Sequence, residues 1–491
     1  MTPGIVFTVI FGYFILLIVI SWFTSRHATN DTFFTGNRES PWYLVAFGMI
    51  GASLSGVTFI SVPGEVGNSD WSYFQLVLGY LPGYWVIAGI LMPLYYRLNL
   101  VSIYSFLKER FGLSAYKTGS AFFLLSQTIG ASFRLFLVAG VLQLAFFDIY
   151  GIPFEVTVLV TIFLIWIYTF KGGIKTIVWT DSLQTFFMLL SVVVSIYIIG
   201  SELNLGVGDM IGVIKQHEYS QIFVWDWQAG NNFFKQFFSG AFIAIVMTGL
   251  DQNMMQKNLT CKNLGEAQKN VMWFSSSLIF VNLLFLGLGV MLYVFAADKG
   301  INFPVDEVTG KFLSTDKVFP ELAINEFTVF AGVVFLLGIT AAAYSSADSS
   351  LTALTTAFCV DFLDIEKQED NKQKKQRMVV HIAFSVIMVL AIISFKYIND
   401  DSVINSVFKA AGYTYGPLLG LFTFGLFTKI QVHDKYVPWV CIISPVLSYI
   451  LNLYSEDLLA GYKFGFEILM VNGAFTFIGL LLLRKNDQSP L

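Results

Sequence analysis

The chain has 491 residues, 56% of them hydrophobic and only 13% charged, with a mean hydropathy of +0.68. A soluble domain carries about 25% charged residues, so this composition excludes a soluble globular protein and specifies an integral membrane protein. The net charge of −4 and the lack of a basic tract argue against a nucleic-acid partner. Cys261, Cys359 and Cys441 show no paired spacing that would suggest a disulfide or a metal site.

Apolar spans of about 20 residues, the length a helix needs to cross hydrocarbon, recur thirteen times. They lie near 4–25, 42–67, 72–98, 117–147, 152–170, 174–201, 233–256, 271–296, 324–361, 378–396, 402–428, 434–454 and 463–483. The first span has no basic residue before it and no small-residue cleavage pattern, and Arg26 follows it. It reads as a retained helix with its N-terminus outside, not as a signal peptide. On that layout the cytoplasmic loops hold twenty Lys and Arg, among them Arg26, Lys171, Lys257 and Lys367. The outer loops hold seven, and Arg134 and Lys409 fall inside spans, a distribution that follows the positive-inside bias.

Two spans look broken. Gly48-Met-Ile-Gly-Ala-Ser-Leu-Ser-Gly56, followed by Pro63-Gly64, is too rich in glycine and serine for an uninterrupted lipid-facing helix. The stretch from Gly240 through Gly249-Leu-Asp-Gln252 stands in the corresponding place five spans later. Paired discontinuous segments point to an inverted-repeat transporter with its site near the midplane.

The polar residues inside spans carry the chemistry. Ala341 to Ser350 places Ser345, Asp348 and Ser349 at i, i+3 and i+4, on one helical face. A carboxylate and hydroxyls converging at bilayer depth suit a small hard cation that has shed water. Asp181 has two readings: a cap on a helix N-terminus near the cytoplasmic surface, or a second acid in the ion region of Asp348. In the second case the two carboxylates repel, and one can hold a proton. Arg134, deep in its span, either pairs with an acid or offers its guanidinium fork to a substrate carboxylate. Lys409 reads as snorkelling to an interface or pairing structurally, with solute binding the lesser alternative. Ser53, Ser55 and Thr58 flank the first break and line a cavity there, and Tyr73 and Gln75 on the next span face it.

Several ordered stretches resemble the sodium/solute symporter family across essentially the whole chain. Tyr168-Thr-Phe-Lys-Gly-Gly-Ile-Lys-Thr-Ile-Val-Trp-Thr-Asp-Ser-Leu-Gln184 is similar to its fifth-core-helix signature. Ser40-Pro-Trp-Tyr43 with Ser55 to Pro63, Phe106 to Gly112, Gly416 to Gly420 and Ala342 to Ser346 resemble further family segments. The resemblance implies an all-α integral membrane fold with a five-plus-five inverted repeat of the leucine-transporter type. One extra N-terminal helix precedes the repeat, and two or more helices follow it.

The resemblance also implies a sodium site made by carbonyls of Gly51, Leu54 and Ala342 and hydroxyls of Ser345 and Ser346. A second cation site, as in the family's sialic acid transporters, would map to Asp181, Ser345, Asp348 and Ser349, with Asp348 standing where those transporters have serine. By the same resemblance Ser53, Ser55 and Thr58 bind substrate, with Arg134 one helical turn from Ala131, near which the arginine of those transporters aligns; Tyr73 and Gln75 join the substrate set from their place on the next span. Ala244 and Met247 replace the polar residues that the family's galactose transporters carry on the sixth core helix.

The expectation is a single transporter domain over 1–491: an extra helix at 4–25, a first repeat at 40–202, a second at 233–429 and C-terminal helices at 434–484. It would carry out sodium-coupled symport of a small organic solute, carboxylate-bearing if Arg134 binds it, across a bacterial inner or plasma membrane. Na+ is the coupling ion, the C-terminus is cytoplasmic, the lipid bilayer is the other partner, and a monomer suffices. The alternatives are proton coupling, a neutral-sugar symporter of the same fold, or a transporter-like sensor or channel. An enzyme is disfavoured: no paired Asp-rich motif is present, and His27, His217, His381 and His433 are scattered. A sensor is disfavoured because only a few residues follow Leu483.

Overall fold

A computed structural model of the chain describes residues 3–24, 35–365, 368–397 and 402–485, without side-chain detail at residues 3, 168–172, 343 and 370. Arg26, His27 and Lys367 lie outside the described residues, as does the side chain of Lys171. The regular structure of the described residues is helical, with isolated bridges and no strands among them.

In chain order the helices that build the bundle are α1 (Pro3–Thr24), α2 (Trp42–Ser69), α3 (Tyr73–Val86), α4 (Leu113–Leu142), α5 (Phe154–Glu202), α6 (Phe233–Ala244) and α7 (Gln252–Asn258). After these come α8 (Leu264–Asp298), α9 (Val329–Asp361), α10 (Asp370–Phe395), α11 (Val403–Thr414), α12 (Gly416–Phe427), α13 (Val437–Leu453) and α14 (Ile468–Leu482). Among the described residues nine helices are long and apolar enough to cross a membrane, or ten if the bent pair Phe233–Gly249 and Gln252–Asn258 forms one span. Three shorter apolar helices, Phe154–Ile167, Gly416–Phe427 and Ile468–Leu482, fall where three further spans are expected.

Both expected breaks are present. In α2, Ser55 adopts φ 45 and ψ 176, left-handed for a residue with a side chain, so the i→i−4 ladder cannot run through it. After α6 the chain passes Gly249 and resumes at Gln252 bent by 70°. Asp251 caps the new start by accepting from Met254 N at 3.2 Å. A third break lies in α5 at Gly173, φ 55, where glycine tolerates a positive φ.

The broken helix α2 is the centre of the bundle. Its most apolar window is 89% buried, against 28% for the window at Gly4–Thr24 and 22% for Asp434–Leu453, so the latter two face lipid. It packs on α4, α5, α8 and α9. Next to it, α3 and α6 meet backbone to backbone. A Cβ on Gly79 would lie 2.0 Å from Phe237 O, and one on Gly240 would lie 2.0 Å from Leu76 O. Neither neighbour is a flexible side-chain end. Gly79→Val is therefore expected to cost more than about 3 kcal/mol and to abolish monodisperse protein in size-exclusion chromatography. Gly89→Ala, with nothing within 4 Å, is expected to behave as the parent.

Candidate functional site: a cavity at the helix breaks and a buried ion pair beside it

The breaks in α2 and after α6 open onto one cavity of about 80 Å³. Ser53, Ser55 and Thr58 from α2, Tyr73 from α3 and Arg134 from α4 all line it, as the sequence suggests. Gln75 does not. It is fully buried, donates to Ser72 O at 3.1 Å and Asn231 O at 3.0 Å, and accepts from Val224 N at 3.1 Å. Its amide braces a connecting loop, a role set by long-range packing. Ala244 and Met247 do form part of the wall.

Arg134 forms no hydrogen bond or ion pair among the described residues. Asp251 and Tyr415 are its electrostatic neighbours. The Asp251 carboxylate is already engaged, accepting from Tyr415 OH at 2.5 Å as well as from Met254 N. Sequence reasoning passed over several wall residues, including Tyr80, Tyr84, Gln127, Thr248 and Asn282, and read Asp251 only as part of the second break. Asn282 donates to Leu278 O at 2.7 Å, while its Oδ1 is buried without a partner among the described residues. An amide in the middle of apolar α8 was the available signal. Gln252, which follows Asp251 in sequence, is structural, donating to Val101 O at 2.7 Å and accepting from Ile103 N at 3.0 Å.

A wider cavity of about 320 Å³ adjoins the first, lined by Glu65, Asn68, Asp70, Asn231, Gln236 and exposed Lys311, among others. The two share Tyr73, Ile404 and Phe408. The rings of Tyr73 and Phe408 lie 6.4 Å apart and nearly parallel, between the spaces. Lys409, one residue on, is exposed.

The residues expected to hold the ions lie where α2, α5 and α9 pack together. Gly51 is held against α5: its N–H donates to Thr185 Oγ1 at 3.0 Å, and a Cβ there would lie 2.2 Å from the same oxygen. Leu54, Ala342, Ser345 and Ser346 are buried. The Ser346 hydroxyl donates to Ala342 O at 3.3 Å. Ser350 donates to Ser346 O at 2.5 Å and accepts from Gln127 Nε2 at 2.7 Å, which links the cavity wall to the serine helix.

Asp181 sits in the middle of α5, not at a helix start, so it is not an N-cap. Its Oδ1 accepts from Ser345 Oγ at 2.7 Å, and its Oδ2 lies 2.7 Å from Lys257 Nζ. Both charged side chains are 1% exposed. Lys257, counted above among the cytoplasmic loop charges, is thus an interior residue on α7, folded back by the 70° bend. Removing it leaves the positive-inside bias at nineteen to seven. The two-acid picture of Asp181 and Asp348 also changes, since Asp181 has a cation of its own. Asp348, fully buried, accepts from both the amide and the hydroxyl of Ser349 and lies in electrostatic reach of Tyr13 on α1.

A multi-pass helical bundle with a polar cavity where two of its central helices break has the build of a secondary transporter. Comparison with known proteins identifies which kind. The profile described as the sodium:solute symporter family matches residues 33–432, most of the chain, and the chain belongs to that family. The sodium/sialic acid symporter of Proteus mirabilis is 24% identical over 463 residues, covering 92% of this chain and 90% of the relative. That of Aliivibrio fischeri is 24% identical over 419 residues, covering 83% and 80%. The sodium/glucose cotransporter of Vibrio parahaemolyticus is 25% identical over 438 residues, covering 82% and 76%.

Among solved structures, a substrate-bound, outward-open Na+-coupled sialic acid symporter aligns with TM-score 0.81 at 21% identity, covering 98% of this chain and 99% of that one. The two share a fold. The protein is therefore a multi-pass membrane transporter that couples a small solute to sodium, and it is not an enzyme.

Proposed function

We propose that the protein imports a hydroxyl-bearing organic carboxylate together with sodium. The observation that carries this reading is Arg134: a guanidinium facing the cavity with no partner among the described residues, while the cavity's acid, Asp251, is occupied by Tyr415 and a helix N-terminus. A half-buried guanidinium fork with no hydrogen-bonded or ion-paired acid calls for a planar anion. The unpaired Oδ1 of Asn282 and the hydroxyls of Ser53, Ser55 and Thr58 call for a ligand with hydroxyl groups. The relatives from Proteus mirabilis and Aliivibrio fischeri are sialic acid symporters, and sialic acid bears a carboxylate and hydroxyls, in keeping with this reading.

In this proposal sodium binds the carbonyls of Gly51, Leu54 and Ala342 and the hydroxyls of Ser345 and Ser346. Ser55 interrupts α2 just after Gly51 and Leu54, and the break frees carbonyl oxygens for a hard cation. The Ser345 hydroxyl donates its hydrogen bond to Asp181, which leaves its lone pairs for the ion. Ser346 has only a long bond to release. The ion then ties α2 to α9 and favours the outward-open state. Solute enters through the wider cavity, passes Tyr73 and Phe408, and reaches Arg134. Rocking exposes both ligands to the cytoplasm, where sodium loss frees the solute.

The architecture that fits this cycle is thirteen spans: an extra helix at 4–25, inverted repeats at 40–202 and 233–429, and C-terminal helices at 434–484. The N-terminus is outside and the C-terminus in the cytoplasm of a bacterial-type plasma membrane, and one chain suffices for transport. Nucleic acid has no part in the cycle. The test is Arg134→Leu, expected to raise the KM for the carboxylate about a hundredfold or more, with Arg134→Lys recovering part of the loss. An unchanged KM in Arg134→Leu would contradict the anion anchor.

A further inference from the structure

The position that a second sodium would take is already served by a cation built into the chain. Lys257 Nζ lies 2.7 Å from Asp181 Oδ2, and neither side chain reaches solvent. The other carboxylate oxygen accepts from Ser345 at 2.7 Å. Asp181 therefore has one hydroxyl donor and one ammonium, and its single negative charge is balanced. A sodium ion brought to the same carboxylate would sit about 4 Å from the ammonium. At an effective dielectric of about 20, that repulsion lowers affinity roughly a thousandfold.

The helix that carries the ammonium is enclosed. All seven residues of α7 are buried. The helix is pinned at both ends: Asp251 caps its start through Met254 N at 3.2 Å, and Asn258 Oδ1 accepts from Asn270 Nδ2 of α8 at 2.6 Å. The contact thus fastens the short arm beyond the second break to α5 and, through Ser345, to the helix proposed above to hold sodium.

We propose that Lys257 is a tethered replacement for a second coupling ion: its ammonium occupies the Asp181–Ser345 position, the protein binds one sodium per chain, and deleting the ammonium creates a second sodium site. This rests on the sodium reading above. It makes the lysine a positioning residue for the cytoplasmic arm as well as a charge.

The test is equilibrium binding of radioactive sodium to the full-length protein in nanodiscs, without solute. One sodium per wild-type chain is expected, two in Lys257→Met, and one again in Lys257→Met with Asp181→Asn. Two sodium ions on the wild type, or an unchanged count of one in Lys257→Met, would overturn the proposal. A wild-type count of zero would instead contradict the sodium site itself, so the two failures are distinguishable. If Lys257→Met does not fold, Lys257→Gln is counted in its place, and a wild-type count of two remains decisive on its own.

Discussion

Replacing Lys257 with methionine is expected to lower stability by about 3–5 kcal/mol in sodium-free medium, because it strands a fully buried carboxylate. Asp181 is 1% exposed, and its one other side-chain partner is the Ser345 hydroxyl at 2.7 Å. A hydroxyl does not neutralise a charge, so the cost is that of an uncompensated ion. Removing both charges, as in Lys257→Met with Asp181→Leu, is expected to recover most of the loss. Apolar replacement of a buried pair is often close to neutral. Thermal unfolding in detergent, with choline replacing sodium, separates the outcomes. A double variant as unstable as the single one would show that Lys257 matters by packing and not by charge. Added sodium is expected to raise the unfolding midpoint of the single variant more than that of the parent, since the ion can neutralise Asp181.

Ser345→Ala with Ser346→Ala is expected to raise the sodium concentration for half-maximal uptake at least tenfold. Both hydroxyls belong to the proposed coordination shell, and a hard cation stripped of water cannot be held by the three carbonyls of Gly51, Leu54 and Ala342 alone. The single changes are expected to differ. Ser346 gives up only a 3.3 Å bond to Ala342 O, whereas Ser345 also serves Asp181, so Ser345→Ala is expected to be the more damaging. Sodium titrations of uptake at fixed solute check this. An unchanged half-saturation in the double variant would require another sodium site.

Much of this architecture is legible in the residues. The break at Ser55 follows from a run of glycine and serine that a lipid-facing helix does not tolerate, and the bend at Asp251 follows from Gly249-Leu-Asp-Gln252. Arg134 stands out because an arginine deep within a span has few inexpensive places to go. Lys257 was not legible. It lies at the end of a hydrophobic span, where charges normally meet water, and only the 70° bend turns it inward. Gln75 was misjudged for a related reason. It shares a span with Tyr73, but its partners, Val224 and Asn231, lie in a distant loop that no periodicity connects to it. Asp251 and Asn282 reach the cavity because separate helices converge there. A single sequence records each residue's chemistry but not the residues it will face.

The most direct test of the account is solute uptake into proteoliposomes under an inward sodium gradient, comparing acidic sugars, monocarboxylates, neutral sugars and amino acids. The account predicts sodium-driven uptake of a carboxylate bearing hydroxyls, lost when sodium is replaced by choline and strongly weakened in Arg134→Leu. Uptake of a neutral sugar alone would leave the symporter in place and remove Arg134 from solute binding. Uptake of any solute driven by a proton gradient without sodium would contradict the central claim.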